Sequence, residues 1–212
     1  MRTIELFAGT GSFSKIAERR GHDTWNTDND PVHDVDLCES ILNVHPYALP
    51  ERPDVLWASP PCTTFSVASI GTHWAGGKEA YIPKTDECRT GLQILEKTIS
   101  LIRYIKPTYW FIENPRGVMR KVIDKIFRLY EISNYRRVTV TYCQYGDTRM
   151  KPTDIWTNCD MEFKPVCKNG DPCHVRAPRG SKTGTQGLAK VDRSRVPGPL
   201  CKDIITYCEE NL

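Results

Sequence analysis

The sequence predicts an α/β fold, in which helices cover both faces of a mostly parallel sheet of about seven strands. Short apolar runs that suit buried strands alternate along the chain with longer segments of helical periodicity. Turn residues with polar side chains follow several of these runs, as at 8–12 and 28–31. In such a sheet the carboxyl ends of the strands border one crevice, where ligands bind. The chain has 212 residues, enough for one domain and a small insert.

The predicted elements alternate in the order that this fold requires. Strands are predicted at about 3–7, 23–27, a short one ending near 37, 54–57, 108–112, 136–143 and 155–157. Helices are predicted at 13–20, 87–105, 118–130 and 199–210. Residues 158–196 show no clear period. We therefore predict one domain, formed by residues 1–157 plus 197–212, with a small irregular insert at 158–196.

The first strand leads through a glycine turn, Ala8-Gly9-Thr10-Gly11-Ser12, into a helix. Glycines let the backbone approach a ligand closely, and a helix N-terminus offers free amide groups. Asp28 follows the second strand, where a carboxylate can hydrogen-bond ribose hydroxyls. Asp36-Leu37 could face an adenine ring from the third strand. A Gly-x-Gly turn alone is a weak signal, but these features together favour a cofactor that contains adenosine.

A proline-rich turn follows the fourth strand and ends at a cysteine, Ser59-Pro60-Pro61-Cys62. The two prolines end the strand and stiffen the turn, which indicates a thiol held at the edge of the crevice. A buried, inert cysteine is the alternative. Glu113-Asn114-Pro115 follows the fifth strand at the same edge. Cys62, Glu113 and Asp28 can therefore converge, and the apolar strand before Glu113 favours a raised pKa for that carboxyl group.

Positive charge is concentrated near the end of the chain. Residues 163–202 contain nine basic and two acidic side chains, a net charge of +7, whereas the whole chain carries +3, which leaves −4 for the remainder. A basic segment on a slightly acidic body predicts a polyanionic partner such as nucleic acid, although a solvated loop has the same composition. We take Arg176, Arg179 and Lys182 as candidate substrate contacts.

The nine cysteines raise the question of a metal site. No apolar run could span a bilayer and no signal peptide is evident, so we expect a cytoplasmic protein whose cysteines are thiols or ligands. Cys159, Cys167, Cys173 and His174 could bind zinc, but gaps of seven, five and no residues match no standard zinc pattern. Scattered thiols are the favoured interpretation, and we assign no metal ligand.

Taken in order, these motifs resemble those of the DNA (cytosine-5) methyltransferases over most of residues 1–157. The matching segments are Phe7-Ala8-Gly9-Thr10-Gly11, Asp28-Asn29, Pro60-Pro61-Cys62 with Phe65-Ser66, Leu92, Glu113-Asn114-Pro115, and Gln144-Tyr145-Gly146 through Arg149 and Lys151. Five motifs in the right order leave little room for chance.

The chain departs from the family pattern at several positions. Asn29 stands where the family usually has an aromatic or bulky residue, Thr63 where Gln is usual, and Pro115 where Val is usual. Lys151 takes the place of the second arginine of the Gln-x-Arg-x-Arg region. After Asn158 neither the large recognition region nor the last family motif is evident, so the chain is more similar to the compact members carried by phages.

The resemblance implies a Rossmann-like sheet that binds S-adenosyl-L-methionine and methylates carbon 5 of cytosine in DNA. It implies cofactor contacts from Phe7, Ala8, Gly9, Thr10, Gly11, Asp28, Asn29, Asp36, Leu37, Pro61 and Leu92. It implies catalytic roles for Cys62, Glu113, Arg149 and Lys151, and substrate contacts from Ser66 and Asn114. We expect a monomer that acts on a flipped cytosine in duplex DNA, in the cytoplasm of a bacterial host if a phage encodes it.

The implied chemistry explains why a thiol is needed. Carbon 5 of cytosine is a poor nucleophile, but a thiolate added at carbon 6 turns the ring into an enamine that can attack a methyl group. Enzymes that methylate exocyclic amines share the Ser-Pro-Pro turn but have an aromatic residue after it, so Cys62 favours carbon 5. The alternatives that stay open are an RNA cytosine-5 methyltransferase and a non-catalytic module that binds DNA or the cofactor.

Overall fold

The computed structural model describes residues 1–176 and 188–212. Its strands are β1 (Arg2–Leu6), β2 (Asp23–Asp28), β3 (Leu37–Cys38), β4 (Val55–Ala58), β5 (Trp74–Ala75), β6 (Ile82–Pro83), β7 (Tyr109–Pro115), β8 (Arg136–Thr141) and β9 (Pro152–Thr157). Its α-helices are α1 (Ser14–Arg19), α2 (Ile70–His73), α3 (Gly77–Ala80), α4 (Asp86–Ile105), α5 (Met119–Leu129), α6 (Lys190–Ser194) and α7 (Gly198–Asn211). Short 3₁₀ helices lie at Pro46–Ala48, Val67–Ser69 and Tyr142–Tyr145.

Seven strands form one sheet, in the order β3-β2-β1-β4-β7-β9-β8. The strands from β3 to β7 pair in parallel, whereas β9 runs antiparallel to both of its neighbours. The predicted α/β fold with a mostly parallel sheet of seven strands is therefore confirmed. The short strands β5 and β6 pair with each other in a separate ribbon.

The register of the parallel strands brings four strand ends to one edge. Leu6 of β1 pairs with Thr27 on one side and with Ala58 on the other, and Ala58 pairs in turn with Ile112. The residues that come next in these strands or just after them lie side by side: Phe7, Asp28, Ser59 and Glu113. This is the edge at which an open α/β sheet binds its ligands.

Strand β4 shows how both faces of the sheet are covered. Val55 and Trp57 point into a core layer formed with α1 and α7, whereas Leu56 and Ala58 point into the layer formed with α4 and α5. All four side chains have no exposed surface. A central parallel strand is buried on both faces, which explains why its sequence is continuously apolar instead of alternating.

Two predicted boundaries are wrong, for a reason that lies in the sheet. β7 continues through Glu113-Asn114-Pro115, which the sequence places in a turn, because β9 pairs with these residues antiparallel. β9 likewise begins at Pro152 instead of 155. Hydrogen bonding to a neighbouring strand extends both elements, and turn-forming residues alone do not reveal it.

The segment after β9 is irregular through residue 176, as predicted, but α6 lies within the stretch 158–196 that was predicted to be irregular throughout. Helix α7 follows it. Cys159 and Met161, at the start of the predicted insert, are buried in the same core layer as α7. In residues 1–176 and 188–212, no helix combines the length and apolar character needed to cross a lipid bilayer.

Candidate active site

An open cleft with an empty volume of about 330 Å³ lies at the carboxyl edge of β1 and β2. Nine residues line it: Phe7, Thr27, Asp28, Asn29, Glu39, Ser40, Ile41, Pro61 and Ile94. Four of them, Phe7, Asp28, Asn29 and Pro61, belong to the predicted cofactor set. Thr27, Ile94 and the three residues after β3 were missed, because their sequence pattern does not distinguish a cleft wall from an ordinary loop or helix.

Asp28 provides the acceptor groups of this cleft. One carboxylate oxygen, Oδ2, accepts a hydrogen bond from the Gly9 amide at 2.9 Å, and Oδ1 accepts one from the Asp30 amide at 3.0 Å. Each oxygen has a second lone pair for a ligand hydroxyl. Because apolar walls from Ile41 and Ile94 face the same cleft, the residues present fit a nucleoside, with the ribose at the carboxylate.

Glu5 shapes the glycine turn beside the cleft. Its buried carboxyl group accepts hydrogen bonds from the amides of Phe13 at 3.1 Å and Ser14 at 2.8 Å, where α1 begins. Burial raises the pKa of Glu5 to about 7 against the opposing effect of these bonds. Gly9 and Gly11 have φ angles of +52° and +68°, which favour glycine. The sequence analysis missed Glu5, whose signal is an acidic residue within an apolar strand.

The other two residues of the predicted glycine motif fix the turn to its surroundings. The Ala8 amide donates to the Thr27 carbonyl at 3.0 Å, and the Thr10 carbonyl accepts a hydrogen bond from Lys15 Nζ at 2.7 Å. Neither Ala8 nor Thr10 is among the residues that line the described cleft. Both contacts help to shape the turn, and the cofactor contacts of Ala8 and Thr10 stay predictions.

Three other predicted cofactor residues lie elsewhere. Asp36 Oδ2 accepts a hydrogen bond from the Asn26 amide at 2.8 Å, so this carboxylate holds the edge of β2. Leu37 and Leu92 pack against a core layer. In the part of the chain that the structure describes, the cleft wall is formed by residues a few positions further along, at 39–41 and at Ile94. Asp36, Leu37 and Leu92 thus lie outside the lining of this cleft, and their cofactor contacts stay predictions.

Cys62 lies at the mouth of the crevice, on a turn that β7 holds in place. Nδ2 of Asn114 donates a hydrogen bond to the Pro60 carbonyl at 2.8 Å. Asn114 is only 1% exposed, and this hydrogen bond makes it a support of the turn; its contact with the substrate stays a prediction. The Cys62 side chain is exposed to solvent. Crowding by protein atoms and the charge of Glu113 nevertheless raise the pKa of its thiol, while Lys151 lowers it.

Glu113 is a buried carboxyl group that contacts a tyrosine. Its Oε1 accepts a hydrogen bond from the Tyr142 hydroxyl at 2.8 Å. Burial raises the pKa of Glu113, and the charge of Lys151 with the hydrogen bonds from Tyr142 and Ser59 acts in the opposite direction. Ser59 is itself fixed by a hydrogen bond from Trp57 Nε1 at 2.8 Å. Tyr142 was missed because it lies within the predicted strand 136–143 without a distinctive pattern, whereas the strand ends at Thr141 and Tyr142 begins a 3₁₀ helix.

Lys151 completes the charged group around Cys62. Its Nζ lies 4.5 Å from the centre of the Tyr142 ring and donates to the Arg193 carbonyl at 2.9 Å. Burial lowers the pKa of Lys151, and the neighbouring charges of Glu113 and Cys62 raise it. The structure therefore brings Cys62, Glu113 and Lys151 close together. Glu113 and Lys151 each shift the pKa of both other groups, and Cys62 shifts that of Lys151.

Arg149 points its guanidinium group at Asp147, with which it forms a salt bridge. Its Nε donates to Asp147 Oδ1 at 2.8 Å, and its Nη1 donates to the Asp192 carbonyl at 2.9 Å. Together with the bond from Lys151 to Arg193, this contact holds the segment around α6 against the loop at residues 142–151. The sequence analysis missed Asp147 and this segment, since contacts to backbone carbonyls leave no sequence motif.

The remaining predicted substrate contacts lie at the surface or beyond the described ranges. Ser66 is half-buried, and its Oγ accepts a hydrogen bond from the Ala68 amide at 3.2 Å at the start of a 3₁₀ helix. Arg176 is exposed. Arg179 and Lys182 lie outside the residues that the structure describes.

The sheet order and the nucleoside cleft, with a thiol beside it, define a class of protein: the α/β methyltransferases that use S-adenosyl-L-methionine. The model of the C-5 cytosine-specific DNA methylase family matches residues 1–131, more than half of the chain. The protein belongs to this family, as its motifs predicted. Its cofactor is therefore S-adenosyl-L-methionine.

Individual relatives agree with this assignment. The chain is 29% identical over 231 residues to a Frog virus 3 protein named "Probable DNA (cytosine-5)-methyltransferase". The alignment covers 98% of this chain and 100% of the viral protein. Two solved structures are similar in fold: a DNA modification methyltransferase encoded within an E. coli prophage (TM-score 0.53, 18% identity, 74% of this chain covered) and S. pombe Dnmt2 (TM-score 0.51, 14% identity, 77% covered). The aligned region covers 46% and 51% of those two chains.

Proposed function

We propose that this protein transfers a methyl group from S-adenosyl-L-methionine to carbon 5 of cytosine in DNA through a covalent adduct with Cys62. The observation that carries the proposal is the group of three ionisable side chains at the carboxyl edge of the sheet. Cys62, Glu113 and Lys151 come from three separate segments and meet beside a cleft that fits a nucleoside. This arrangement suits addition to an aromatic ring.

The cofactor cleft would be occupied in a defined orientation. Asp28 would bind the ribose hydroxyls, and Phe7, Ile41 and Ile94 would pack on the adenine. When bound, the cofactor supplies an electrophilic methyl group. Pro61 lines the cleft and Cys62 follows it directly, so the donor and the nucleophile would lie on adjacent sides of one turn.

Cys62 would carry the covalent step. Its Sγ forms a bond to carbon 6 of the ring, and the electron pair displaced from the carbon 5–carbon 6 double bond makes carbon 5 nucleophilic. Carbon 5 takes the methyl group and then loses its proton to a base. The electron pair left by that proton restores the carbon 5–carbon 6 double bond as the Sγ–carbon 6 bond breaks, Sγ leaves as the thiolate, and N3 returns its proton to Glu113.

Glu113 and Lys151 would manage the charges of this reaction. Burial raises the pKa of Glu113, which favours the protonated carboxyl group that would donate its proton to N3 of the cytosine as Sγ adds. Lys151 would stabilise the thiolate of Cys62, whose pKa it lowers. The target base must leave the duplex stack to reach these groups.

The proposal is tested with radiolabelled S-adenosyl-L-methionine and unmethylated duplex DNA of mixed sequence. The product is digested to nucleosides and separated, with a parallel reaction on RNA. We expect label in 5-methylcytosine from DNA. Label in N4-methylcytosine or N6-methyladenine would overturn the role of Cys62, and label confined to RNA would overturn the choice of substrate.

A pair of cysteine variants tests the nucleophile. Cys62→Ala should abolish methyl transfer and leave binding of S-adenosyl-L-methionine intact, because the thiol is not part of the described cofactor cleft. Cys38→Ala changes another exposed cysteine and should retain full activity. Turnover of Cys62→Ala near the wild-type rate would contradict the covalent mechanism.

A further inference from the structure

Four soft or borderline metal ligands meet at one point outside the catalytic group. The Sγ atoms of Cys143, Cys167 and Cys173 and a ring nitrogen of His174 all lie within 4.8 Å of one another. Cys143 and Cys167 are buried, whereas Cys173 is exposed and His174 is half-buried. Three cysteines and one histidine are a standard ligand set for structural zinc.

Three of the ligand distances match the edges of a zinc tetrahedron, and the distance between Cys143 Sγ and Cys167 Sγ is shorter. Zinc bonds of about 2.3 Å to sulfur and 2.0–2.1 Å to nitrogen place tetrahedral ligands roughly 3.8 Å apart for two sulfurs and roughly 3.6 Å apart for sulfur and nitrogen. The observed separations are 3.7 Å from Cys173 Sγ to Cys143 Sγ, 3.7 Å from Cys167 Sγ to His174 Nδ1, and 3.6 Å from Cys173 Sγ to His174 Nδ1. Cys143 Sγ and Cys167 Sγ are 3.0 Å apart, beyond the length of a disulfide bond.

The surrounding contacts orient these ligands. Cys167 is fixed through its amide, which donates to Thr141 Oγ1 at 3.0 Å. Gly170, with φ of +101°, turns the loop between Cys167 and Cys173 back toward the cluster. Nε2 of Gln144 donates to Cys173 Sγ at 3.5 Å, a contact of the kind that supports metal-bound thiolates.

We propose that one Zn²⁺ ion is bound by Cys143, Cys167, Cys173 and His174. The ion fastens the start of the basic segment to the loop at residues 142–151. Cys143 lies in the 3₁₀ helix after β8, next to Tyr142, whose hydroxyl holds Glu113. The other three ligands lie in the segment that leads to Arg176. All four positions of the ion are filled by protein, so its role is structural.

The same residues explain how the ion would connect the two parts. The Val175 amide donates to the Thr148 carbonyl at 2.8 Å, one residue before Arg149. The zinc ion would add bonds on both sides of this hydrogen bond, to Cys143 on one side and to the ligands before Val175 on the other. These bonds would hold the basic segment beside the loop that carries Arg149 and Lys151. Loss of the ion should therefore loosen DNA contacts before it affects the cofactor cleft.

The structure also corrects the ligand set considered from the sequence. Cys159 is 2% exposed and packs in the core, where the Thr157 hydroxyl donates to its Sγ at 3.3 Å. Cys143 takes its place, although 23 residues separate it from Cys167.

Metal analysis of the purified full chain tests the proposal. We expect about one zinc ion per chain by plasma mass spectrometry, without added chelator. After exchange, Co²⁺ should give the thiolate charge-transfer bands and strong visible bands of a tetrahedral site. Cys173→Ser and His174→Gln alter the two more accessible ligands and should each weaken zinc affinity at least about a hundredfold, beyond the loss typical of an outer-shell partner. Cys159→Ala and Cys38→Ser should keep the ion.

Three results would overturn the proposal. One is a chain that neither contains zinc nor binds it when one equivalent is added to the reduced protein. The second is a disulfide between Cys143 and Cys167 in mass spectra of the unreduced protein. The third is zinc whose affinity is unchanged in Cys173→Ser and His174→Gln. None of these readouts depends on methyl transfer, so they are independent of the proposed function.

Discussion

At the scale of single residues, the reactivity of Cys62 depends on two neighbours with opposite effects. Crowding by protein atoms raises the pKa of the thiol most, the charge of Glu113 raises it further, and the charge of Lys151 lowers it. Because its pKa is raised, Cys62 is mostly a thiol at neutral pH in the free enzyme. The reactive form of a cysteine is the thiolate. Loss of the negative charge of Glu113, by protonation or by contact with a base, would therefore lower the pKa of the thiol.

Alkylation of Cys62 by iodoacetamide should report these two effects. Glu113→Gln removes a negative charge and should move the pH of half-maximal alkylation down, whereas Lys151→Gln removes a positive charge and should move it up. Peptide mass spectrometry separates Cys62 from the other exposed cysteines, Cys38 and Cys173. Shifts in the same direction for both variants would contradict the arrangement described.

Methyl transfer should be more sensitive to Glu113 than alkylation is. Glu113→Gln keeps the size of the side chain but cannot donate a carboxyl proton, so we expect at least about a hundredfold loss of rate, the scale of a lost general acid. Single-turnover rates at saturating DNA and cofactor provide the measurement. An unchanged rate would remove Glu113 from the mechanism.

At the scale of elements, the turn that carries Cys62 is fastened to the start of α5. The Val118 amide donates to the Phe65 carbonyl at 2.8 Å. A Cβ atom on Gly117 would lie 2.1 Å from the same carbonyl oxygen. The backbone of the turn and the backbone before α5 therefore approach as closely as glycine permits, and this contact fixes the position of Cys62.

Gly117→Ala should disturb this contact. We expect the free energy of unfolding to fall by about 1–3 kcal/mol, the usual cost of overpacking, and methyl transfer to fall at temperatures where the variant is still folded. Gly71→Ala is the matched control, since a Cβ there has no neighbour within 4 Å. Thermal melts and rate measurements provide the comparison. Equal stability and activity of the two variants would show that the turn is not held by this contact.

At the scale of the whole molecule, the buried carboxyl groups of β1 and β7 link stability to pH. The pKa of Glu5 is raised to about 7 and that of Glu113 is also raised, both mainly by burial. A folded protein that binds protons more tightly than the unfolded chain loses stability as pH rises between the two pKa values. For Glu5 this window extends from about 4.5 to about 7.

Denaturant unfolding between about pH 5 and about pH 8 should show this dependence. The free energy of unfolding of the wild type should fall toward pH 7, with up to about 3 kcal/mol attributable to Glu5. Glu5→Gln cannot ionise, so its curve should be flatter, and the Glu5 contribution should not change above pH 7. Parallel curves for the two proteins would contradict the raised pKa.

The basic segment should contribute to DNA affinity through phosphate contacts, which are independent of sequence. Arg176→Ala should weaken binding to unrelated duplexes alike and reduce the slope of log affinity against log salt by about one. Lys125→Ala, an exposed site on α5 outside this segment, should leave the slope unchanged. Titrations at several salt concentrations give the slopes, and equal slopes for wild type and Arg176→Ala would exclude a phosphate contact.

The sequence by itself determined the order of the elements and the chemical groups at the strand ends. Helical periodicity in α4 and the apolar run of β4 are local properties. They can be recognised in the sequence without knowing which elements pack against them. The same holds for the Pro-Pro-Cys turn and for Asp28, since parallel topology brings all strand ends to one edge. These features were sufficient to identify the family.

The tertiary structure decided which side chains meet. Whether Leu92 or Ile94 faces the cleft depends on the rotation of α4 about its axis, and Asn114 became a buried support because β9 extends β7. Tyr142 contacts Glu113, and Cys143 in place of Cys159 lies beside Cys167, Cys173 and His174, through strand register and loop packing. Such contacts join residues far apart in the chain, and their positions follow from the packing of the whole molecule instead of any local pattern.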